Sequence, residues 1–337
     1  MVWISLLYIV ALVSMVYLSI KLGDLVDLLD KKSKISGAFI GSVLLGAVTS
    51  LPELFTSISS ILFVKNPSLV IGDIMGSDIF DMCALIVITF IFGKHFFEAK
   101  LSTKLHLINL ISLFVMYGLA LYAVFAPHQL MLGDINIISI VIFIGYACLL
   151  VFSPKEAEEE KEETDSKLTI GQILILFFIL ASLLIGLSIS ITYLTDAIVN
   201  HIPWLSGTAG GAILLGIATS IPEIISTVHL FKLKNYDAGF GNMIGSCTFN
   251  FSIMAIADFM SWSAISGDIV SERGIWISNQ NSQMLLVFGL LTLISLATFI
   301  LVKSYTKILR NERSSMLVSG IFAFIVTAFY ILTFLIK

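Results

Sequence analysis

SGAFIGSVLLGAVTSLPE, Ser36 to Glu53, recurs later in the chain as SGTAGGAILLGIATSIPE, Ser206 to Glu223. The two copies lie at an offset of 170, and ten of their 18 positions are identical. Each copy is apolar and ends in a glutamate. An acid inside a membrane span costs roughly 2.5 to 3.5 kcal/mol on insertion scales. Because the chain carries that cost twice at matched positions, we predict one site built from two halves.

A second matched pair of segments follows the two copies. GDIMGSDIFD, Gly72 to Asp81, corresponds to GNMIGSCTFN, Gly241 to Asn250. Each segment holds two glycines four residues apart, a small-xxx-small pattern that allows helix backbones to approach closely. The glycines are Gly72, Gly76, Gly241 and Gly245. We therefore expect close helix packing beside the glutamates.

The composition is that of a membrane protein. Of the 337 residues, 58% are hydrophobic and only 12% are charged, which excludes an ordinary soluble domain. Ten apolar segments are each long enough to cross about 30 Å of hydrocarbon. They are roughly 2–22, 36–64, 68–93, 105–126, 135–153, 170–194, 207–231, 238–262, 282–302 and 314–336. We predict an all-α polytopic membrane protein with ten transmembrane helices.

Lysine and arginine predict the orientation. With ten spans, 16 of the 19 basic residues fall in loops on one side, which the positive-inside rule makes cytoplasmic. Both termini then lie outside, and the acidic linker between the fifth and sixth spans is cytoplasmic. The linker, 154–169, separates a first five-helix repeat, 1–153, from a second, 170–337. Because five is odd, the second repeat is inverted, as in many secondary transporters.

The second span places polar groups on one helical stripe. Gly46, Thr49 and Glu53 are spaced three and four residues apart, and Pro52 removes a backbone donor and should open the turn. The seventh span repeats the stripe as Gly216, Thr219 and Glu223, with Pro222 as the predicted break. Carbonyl, hydroxyl and carboxylate are hard oxygen ligands, which suit alkali and alkaline-earth cations.

The third and eighth spans add polar groups four residues apart, namely Ser77 with Asp81, and Ser246 with Asn250. Folding inverted halves together should bring four groups near the midplane: Glu53, Glu223, Asp81 and Asn250. Spans two, three, seven and eight contain no lysine or arginine to neutralise these acids. We therefore predict a cation-binding site. The role of Asp78, which points about 100° away from Ser77, stays open.

These motifs resemble the α-repeats of sodium/calcium exchangers, in the calcium/cation antiporter superfamily. The family shows G-T-S-x-P-E and G-S-x-x-x-[ND], and the chain reads AVTSLPE, GIATSIPE, GSDIFD and GSCTFN. The resemblance implies that Glu53 and Glu223 bind calcium, helped by Thr49 and Thr219. It also implies sodium sites that involve four residues: Ser77, Ser246 and the backbone oxygens of Gly46 and Gly216. Asp81 and Asn250 match the positions that flank the central site.

The chain departs from the family pattern at four kinds of position, the first being Gly46 and Gly216, where the family commonly has alanine. Val48 and Ala218 replace the glycine before the threonine, and Asp78 and Cys247 replace the usual asparagine after G-S. The acid and amide at 81 and 250 are reversed relative to several prokaryotic relatives.

The expected function is secondary antiport of calcium outward against sodium entry, by alternating access. Spans one and six would slide over an eight-span core, as the resemblance implies. We expect a monomer in the plasma membrane that contacts lipid and transports Ca2+ and Na+, with no cofactor and no nucleic acid. Calcium/proton exchange, or exchange of another cation, stays open. An intramembrane enzyme is disfavoured because no histidine or lysine base accompanies Ser50 and Ser220, and a passive channel would need no counter-ion gradient.

Overall fold

The structure is a computed structural model that describes residues 2–33, 35–62, 68–92, 103–126, 130–133, 135–153, 166–199, 208–261, 275–276, 286–298 and 300. For residues 208–217 only the backbone is described. The acidic part of the linker, 154–165, and the predicted tenth span, 314–336, lie outside the described residues.

The described chain is mostly helical. Its helices are α1 (Val2–Lys32), α2 (Gly37–Phe39), a π-helical segment (Ile40–Leu45), α3 (Gly46–Thr49), α4 (Leu51–Leu62), α5 (Ser68–Ile91), α6 (Thr103–Phe125), α7 (Ile137–Phe152), α8 (Ile170–Val199), α9 (Thr208–Lys232), α10 (Tyr236–Met260) and α11 (Leu286–Thr298). Two short strands, β1 (Met131–Leu132) and β2 (Ile135–Asn136), pair antiparallel before α7.

Six regions of the described chain are helical, long and apolar enough to cross a membrane. They are Trp3–Lys32, Gly37–Ser59, Val70–Ile91, Lys104–Phe125, Ile170–Ile191 and Tyr236–Met260. α7 and α11 are apolar but shorter. The outer faces expose large apolar side chains, such as Val13 at 63% and Phe178 at 55%, while acids lie inside. This distribution is that of an integral membrane protein.

Helices overlap each of the first nine predicted spans within the described residues, but two details differ. α1 continues to Lys32 instead of ending near residue 22. Its extension is held by the second half of the chain, since His229 Nε2 lies 2.6 Å from Asp24 Oδ1 and Asn235 Nδ2 donates to Asp27 Oδ1 at 3.1 Å. The short β1–β2 hairpin was not predicted, and Gly133 adopts there a φ of 64° that glycine tolerates well.

The second span is interrupted, whereas the seventh is continuous. α3 ends at Thr49, Ser50 has φ −90° and ψ 9°, and α4 begins at Leu51. The predicted break at Pro222 is wrong, because α9 runs through this proline. In the turn that follows, the Asn242 side chain donates to the Glu223 carbonyl oxygen at 3.1 Å.

Glycines bring α10 into backbone contact with the start of the second span. A Cβ on Gly241 would stand 2.5 Å from the Ala38 carbonyl oxygen, and one on Gly245 would overlap the Ser42 carbonyl. The close approach predicted for these two glycines is confirmed. For Gly72 and Gly76 the repeat places the partner segment at 208–212, of which only the backbone is described, so the close approach expected there stays a prediction.

The helices form two groups. α10 lies at the centre of one group and contacts α2 to α7 and α9. α1 and α8 pack along each other and share an apolar cluster that includes Met15, Leu22 and Phe177. α1 also contacts α9. The polar residues predicted for the site are therefore carried by the α10-centred group, with the α1–α8 pair beside it.

Candidate cation-binding site

Four helical segments bring the predicted side chains into the protein interior. Eight of them are at most 1% exposed: Thr49, Glu53, Ser77, Asp81, Thr219, Glu223, Ser246 and Asn250. They come in pairs from α3–α4, α5, α9 and α10. Gly46 begins α3 so close to α10 that a Cβ there would stand 2.9 Å from the Ser246 nitrogen. Gly216 lies within α9.

Each glutamate is hydrogen-bonded to a hydroxyl from the other half. Ser50 Oγ donates to Glu223 Oε1 at 3.0 Å, and the Thr219 side chain hydrogen-bonds to Glu53. Glu53 Oε1 also accepts from Ser77 Oγ at 3.0 Å. The two repeated motifs are therefore joined to each other, which supports the prediction of one site built from two halves.

Two serines in this network were not among the predicted ligands. Ser50 contacts Glu223, and Ser220 Oγ lies 3.0 Å from Ser77 Oγ. Both serines occupy identical positions in the repeated motif, so the repetition itself was a signal for them. Their partners lie on other helices, and spacing along one helix does not indicate such partners.

The acid and amide of the third and eighth spans are also joined across the halves. Ser246 Oγ donates to Asp81 Oδ2 at 3.3 Å, and Asn250 Nδ2 donates to Asp78 Oδ1 at 2.8 Å. The other oxygen of Asp78 accepts from the Tyr117 hydroxyl at 3.3 Å. Asp78 is fully buried and belongs to this network. Tyr117, on α6, carries no motif that the sequence could have offered.

Four of the predicted ligands each keep one buried oxygen that accepts no hydrogen bond from the described residues. These atoms are Glu53 Oε2, Glu223 Oε2, Asp81 Oδ1 and Asn250 Oδ1. Buried polar atoms are normally satisfied, and an unpaired carboxylate in a low-dielectric interior is costly. Oxygens without donors are the groups that a bound cation would satisfy.

The electrostatics of the site favour a positive ligand. Glu53, Asp81 and Glu223 lie close enough for their charges to repel one another, and the four spans that carry them contain no lysine or arginine. Within the described ranges, however, no three His, Cys, Asp or Glu side chains are grouped closely enough to hold a metal ion. The carboxylates alone do not form such a group, so hydroxyl, amide or backbone oxygens would have to complete the coordination.

The hydroxyl of Thr49 is engaged within its own helix. Its Oγ1 donates to the carbonyl oxygens of Leu45 at 3.0 Å and Gly46 at 3.3 Å, and it lies 3.4 Å from Asn242 Oδ1. Asn242 also donates to Thr227 Oγ1 at 2.9 Å. Sequence reasoning missed Asn242, although it lies four residues before Ser246 on the same face of α10.

Comparison with known proteins identifies the family. The chain matches the model of the sodium/calcium exchanger protein family over residues 3–155 and 172–336. The chain belongs to the sodium/calcium exchanger family. The resemblance inferred from the repeated motifs is confirmed, and the match covers both halves.

The fold is similar to solved structures of the sodium-calcium exchanger NCX_Mj. A structure soaked with 2.5 mM Na+ and 0.1 mM Ca2+ aligns with a TM-score of 0.67 at 16% identity, covering 97% of this chain and 98% of that one. A structure soaked with 10 mM Na+ and zero Ca2+ gives a TM-score of 0.65 at 18% identity, covering 97% and 99%. A search of curated protein sequences found no match. At these identities the likeness shows the fold alone, and the exchanger's ligand roles stay predictions for this chain.

Proposed function

We propose that this family member is a secondary active antiporter that exchanges calcium for sodium by alternating access. One observation carries the proposal: the two matched glutamates, Asp81 and Asn250 each keep a buried, unpartnered oxygen, in a cluster where hydrogen bonds cross between the halves. An acidic, oxygen-rich and donor-poor interior suits hard cations. The transported ions are Ca2+ and Na+, as substrates and not as resident cofactors.

Competition for the same acids would couple the two ions. Calcium gains more from Glu53 and Glu223 because it carries twice the charge, whereas sodium must fill several subsites to balance the same carboxylates. Hydroxyls such as those of Ser77 and Ser246 are neutral oxygens that suit sodium. Mutually exclusive occupancy gives exchange when the empty, charged site crosses the membrane poorly.

The proposal includes a ten-helix architecture of two inverted repeats, 1–153 and 170–337, joined by a cytoplasmic linker, 154–169. Both termini lie outside the plasma membrane, and the protein acts as a monomer. The pairing of α1 with α8 beside the α10-centred group supports alternating access in which this pair slides over the rest. Because the proposed transport involves no covalent chemistry, the protein is not an enzyme under this proposal.

Calcium/proton exchange is the alternative. It is favoured by additional acids beside the site, namely Asp73 and the buried Asp78. In that case the carboxylates would take protons in place of sodium, and neutral oxygens would contribute little to coupling.

Flux measurements distinguish the two functions. The purified protein is reconstituted into liposomes, and calcium uptake is followed under an imposed sodium gradient and then under an imposed proton gradient. We expect the sodium gradient to drive calcium uptake, and we expect this uptake to proceed when the pH is equal on both sides of the membrane. Uptake that follows the pH gradient and ignores sodium would establish the alternative, and uptake without any counter-ion gradient would indicate a channel.

A further inference from the structure

The two halves differ at one position that the repeat pattern aligns. Asp73 in GDIMGSDIFD corresponds to Asn242 in GNMIGSCTFN, at the same offset as Ser77 and Ser246. Neither residue belongs to the ligands proposed above. Asp73, Ser77 and Asp81 are spaced four residues apart on α5, so they share one face of the helix.

In the second half, the Asn242 amide supplies the donors that this position needs. Its Nδ2 donates to the Glu223 carbonyl oxygen at 3.1 Å, to Ser226 Oγ at 3.1 Å and to Thr227 Oγ1 at 2.9 Å. These contacts join α10 to the turn of α9 that follows the glutamate. Three oxygens thus lie within hydrogen-bond distance of one amide nitrogen, whose two hydrogens they share.

The repeat places the matching oxygens of the first half opposite a carboxylate instead of an amide. Ser57 corresponds to Thr227, and Thr56 corresponds to Ser226. The turns are built alike, because Thr56 Oγ1 donates to the Pro52 carbonyl at 2.9 Å and Ser226 Oγ donates to the Pro222 carbonyl at 2.6 Å. While it is ionised, Asp73 can accept from a hydroxyl such as that of Ser57, but it cannot donate to the Glu53 carbonyl oxygen as the Asn242 amide does to that of Glu223.

Two side-chain oxygens of the first half have no hydrogen-bond partner among the described residues. Ser57 is 1% exposed, and its Oγ has no hydrogen-bond partner among the described residues. Asp73 Oδ2 is likewise buried and unpartnered among them. α4 packs against α5, and the charge of Asp73 is close enough to interact with that of Glu53. Their counterparts, Thr227 and Asn242, are bonded to each other.

We propose that Asp73, Ser57 and the backbone oxygen of Glu53 form a sodium subsite in the first half that the second half lacks. One carboxylate with neutral hydroxyl and carbonyl oxygens suits a monovalent cation, and the cation would supply the positive charge that the Asn242 amide hydrogens supply in the second half. The subsite rests on the proposed function and deepens it by assigning one sodium to a new position.

The test compares sodium binding in Asp73→Asn with the wild type. Purified protein in lipid nanodiscs is titrated with NaCl by calorimetry, at ionic strength held constant with choline chloride, and calcium binding is measured on the same samples. We expect Asp73→Asn to lose one sodium-binding step while its calcium affinity stays within about twofold, a change of about 0.4 kcal/mol. Because Asn242 occupies the matched position, the variant should fold.

A matched pair of hydroxyl variants controls for structural effects. Ser57→Ala removes a proposed ligand and should weaken the same sodium step, whereas Thr227→Ala removes the matched hydroxyl and should leave the number of sodium steps unchanged. Equal sodium titrations for the wild type, Asp73→Asn and Ser57→Ala would overturn the subsite, as would a change in pH dependence alone. A different result would separate the two proposals. If Asp73→Asn removes a sodium-binding step but the wild type shows no sodium-driven calcium flux, the proposed exchange is overturned and the subsite stands.

Discussion

Asp78 determines which end of the Asn250 amide is free. A carboxylate oxygen at 2.8 Å accepts from Asn250 Nδ2, and the second Asp78 oxygen is held by Tyr117. The amide nitrogen is therefore committed, and Asn250 Oδ1 is the atom left without a partner. The acid at 78 thus positions a neutral oxygen of the site, which answers a question that its place in the sequence left open.

Glutamine at either glutamate position should abolish calcium transport. Glu53→Gln and Glu223→Gln each remove one negative charge from a site that must balance a divalent ion, with little change in volume. We expect calcium affinity to fall by at least about tenfold, or about 1.4 kcal/mol, and calcium flux in liposomes to fall to background.

A matched control separates charge at the site from charge elsewhere. Asp237, which pairs with His106 at 2.8 Å, lies at the start of α10 away from the unpartnered oxygens. Asp237→Asn should keep calcium binding within about twofold. Near-normal exchange in a folded Glu53→Gln or Glu223→Gln protein would remove that glutamate from the site.

At the scale of helices, the close contact between α10 and the second span sets the distance between the two halves of the site. Gly245 stands directly against the Ser42 backbone, and backbone cannot move aside as a flexible side chain can. Ser246, the next residue, carries the hydroxyl that reaches Asp81. Packing here therefore controls the geometry of the cation site.

Gly245→Ala should destabilise the protein by about 1 to 3 kcal/mol, because the added methyl group forces α10 away from Ser42. Thermal unfolding in detergent measures the loss. Gly145→Ala on α7 is the control, since Gly145 is exposed and no described atom lies within 4 Å of the added Cβ. That substitution should be neutral or slightly stabilising. An unchanged unfolding temperature for Gly245→Ala would show that the space between Gly245 and the Ser42 backbone can accommodate a methyl group.

The repeated motifs predicted which polar side chains are buried, but not the contacts between them. Periodicity along each helix was enough to group Glu53 with Thr49, and Asp81 with Ser77, and all four side chains are buried. It could not show that Ser50 would bind Glu223, because that contact depends on how two helices from different halves pack. The sequence did not predict the extension of α1 to Lys32 for the same reason, since the partners of this extension, His229 and Asn235, lie some 200 residues away.

At the scale of the whole molecule, α1 and α8 contact each other along a shared apolar cluster and meet the α10-centred group mainly through α9. The contact of α1 with α9 includes a polar pair, His229 Nε2 and Asp24 Oδ1, 2.6 Å apart. Movement of α1 along α9 would have to break this polar pair, which can re-form, whereas a covalent bond across the contact would prevent the movement. The alternating access proposed above would therefore require α1 to move against α9.

A disulfide between α1 and α9 should arrest exchange. A Cβ built on Gly23 would stand 3.8 Å from the His229 Cβ, which is the usual Cβ separation in a disulfide. In a Cys148→Ser background, which removes the exposed cysteine, we expect Gly23→Cys/His229→Cys to cross-link under mild oxidation. Sodium-driven calcium flux should then stop, because α1 can no longer slide, and it should return on reduction.

The single variants control for loss of the Asp24–His229 contact, and their flux should respond to neither oxidation nor reduction. Full exchange in a protein shown by mass spectrometry to be cross-linked would mean that α1 does not move against α9 during transport.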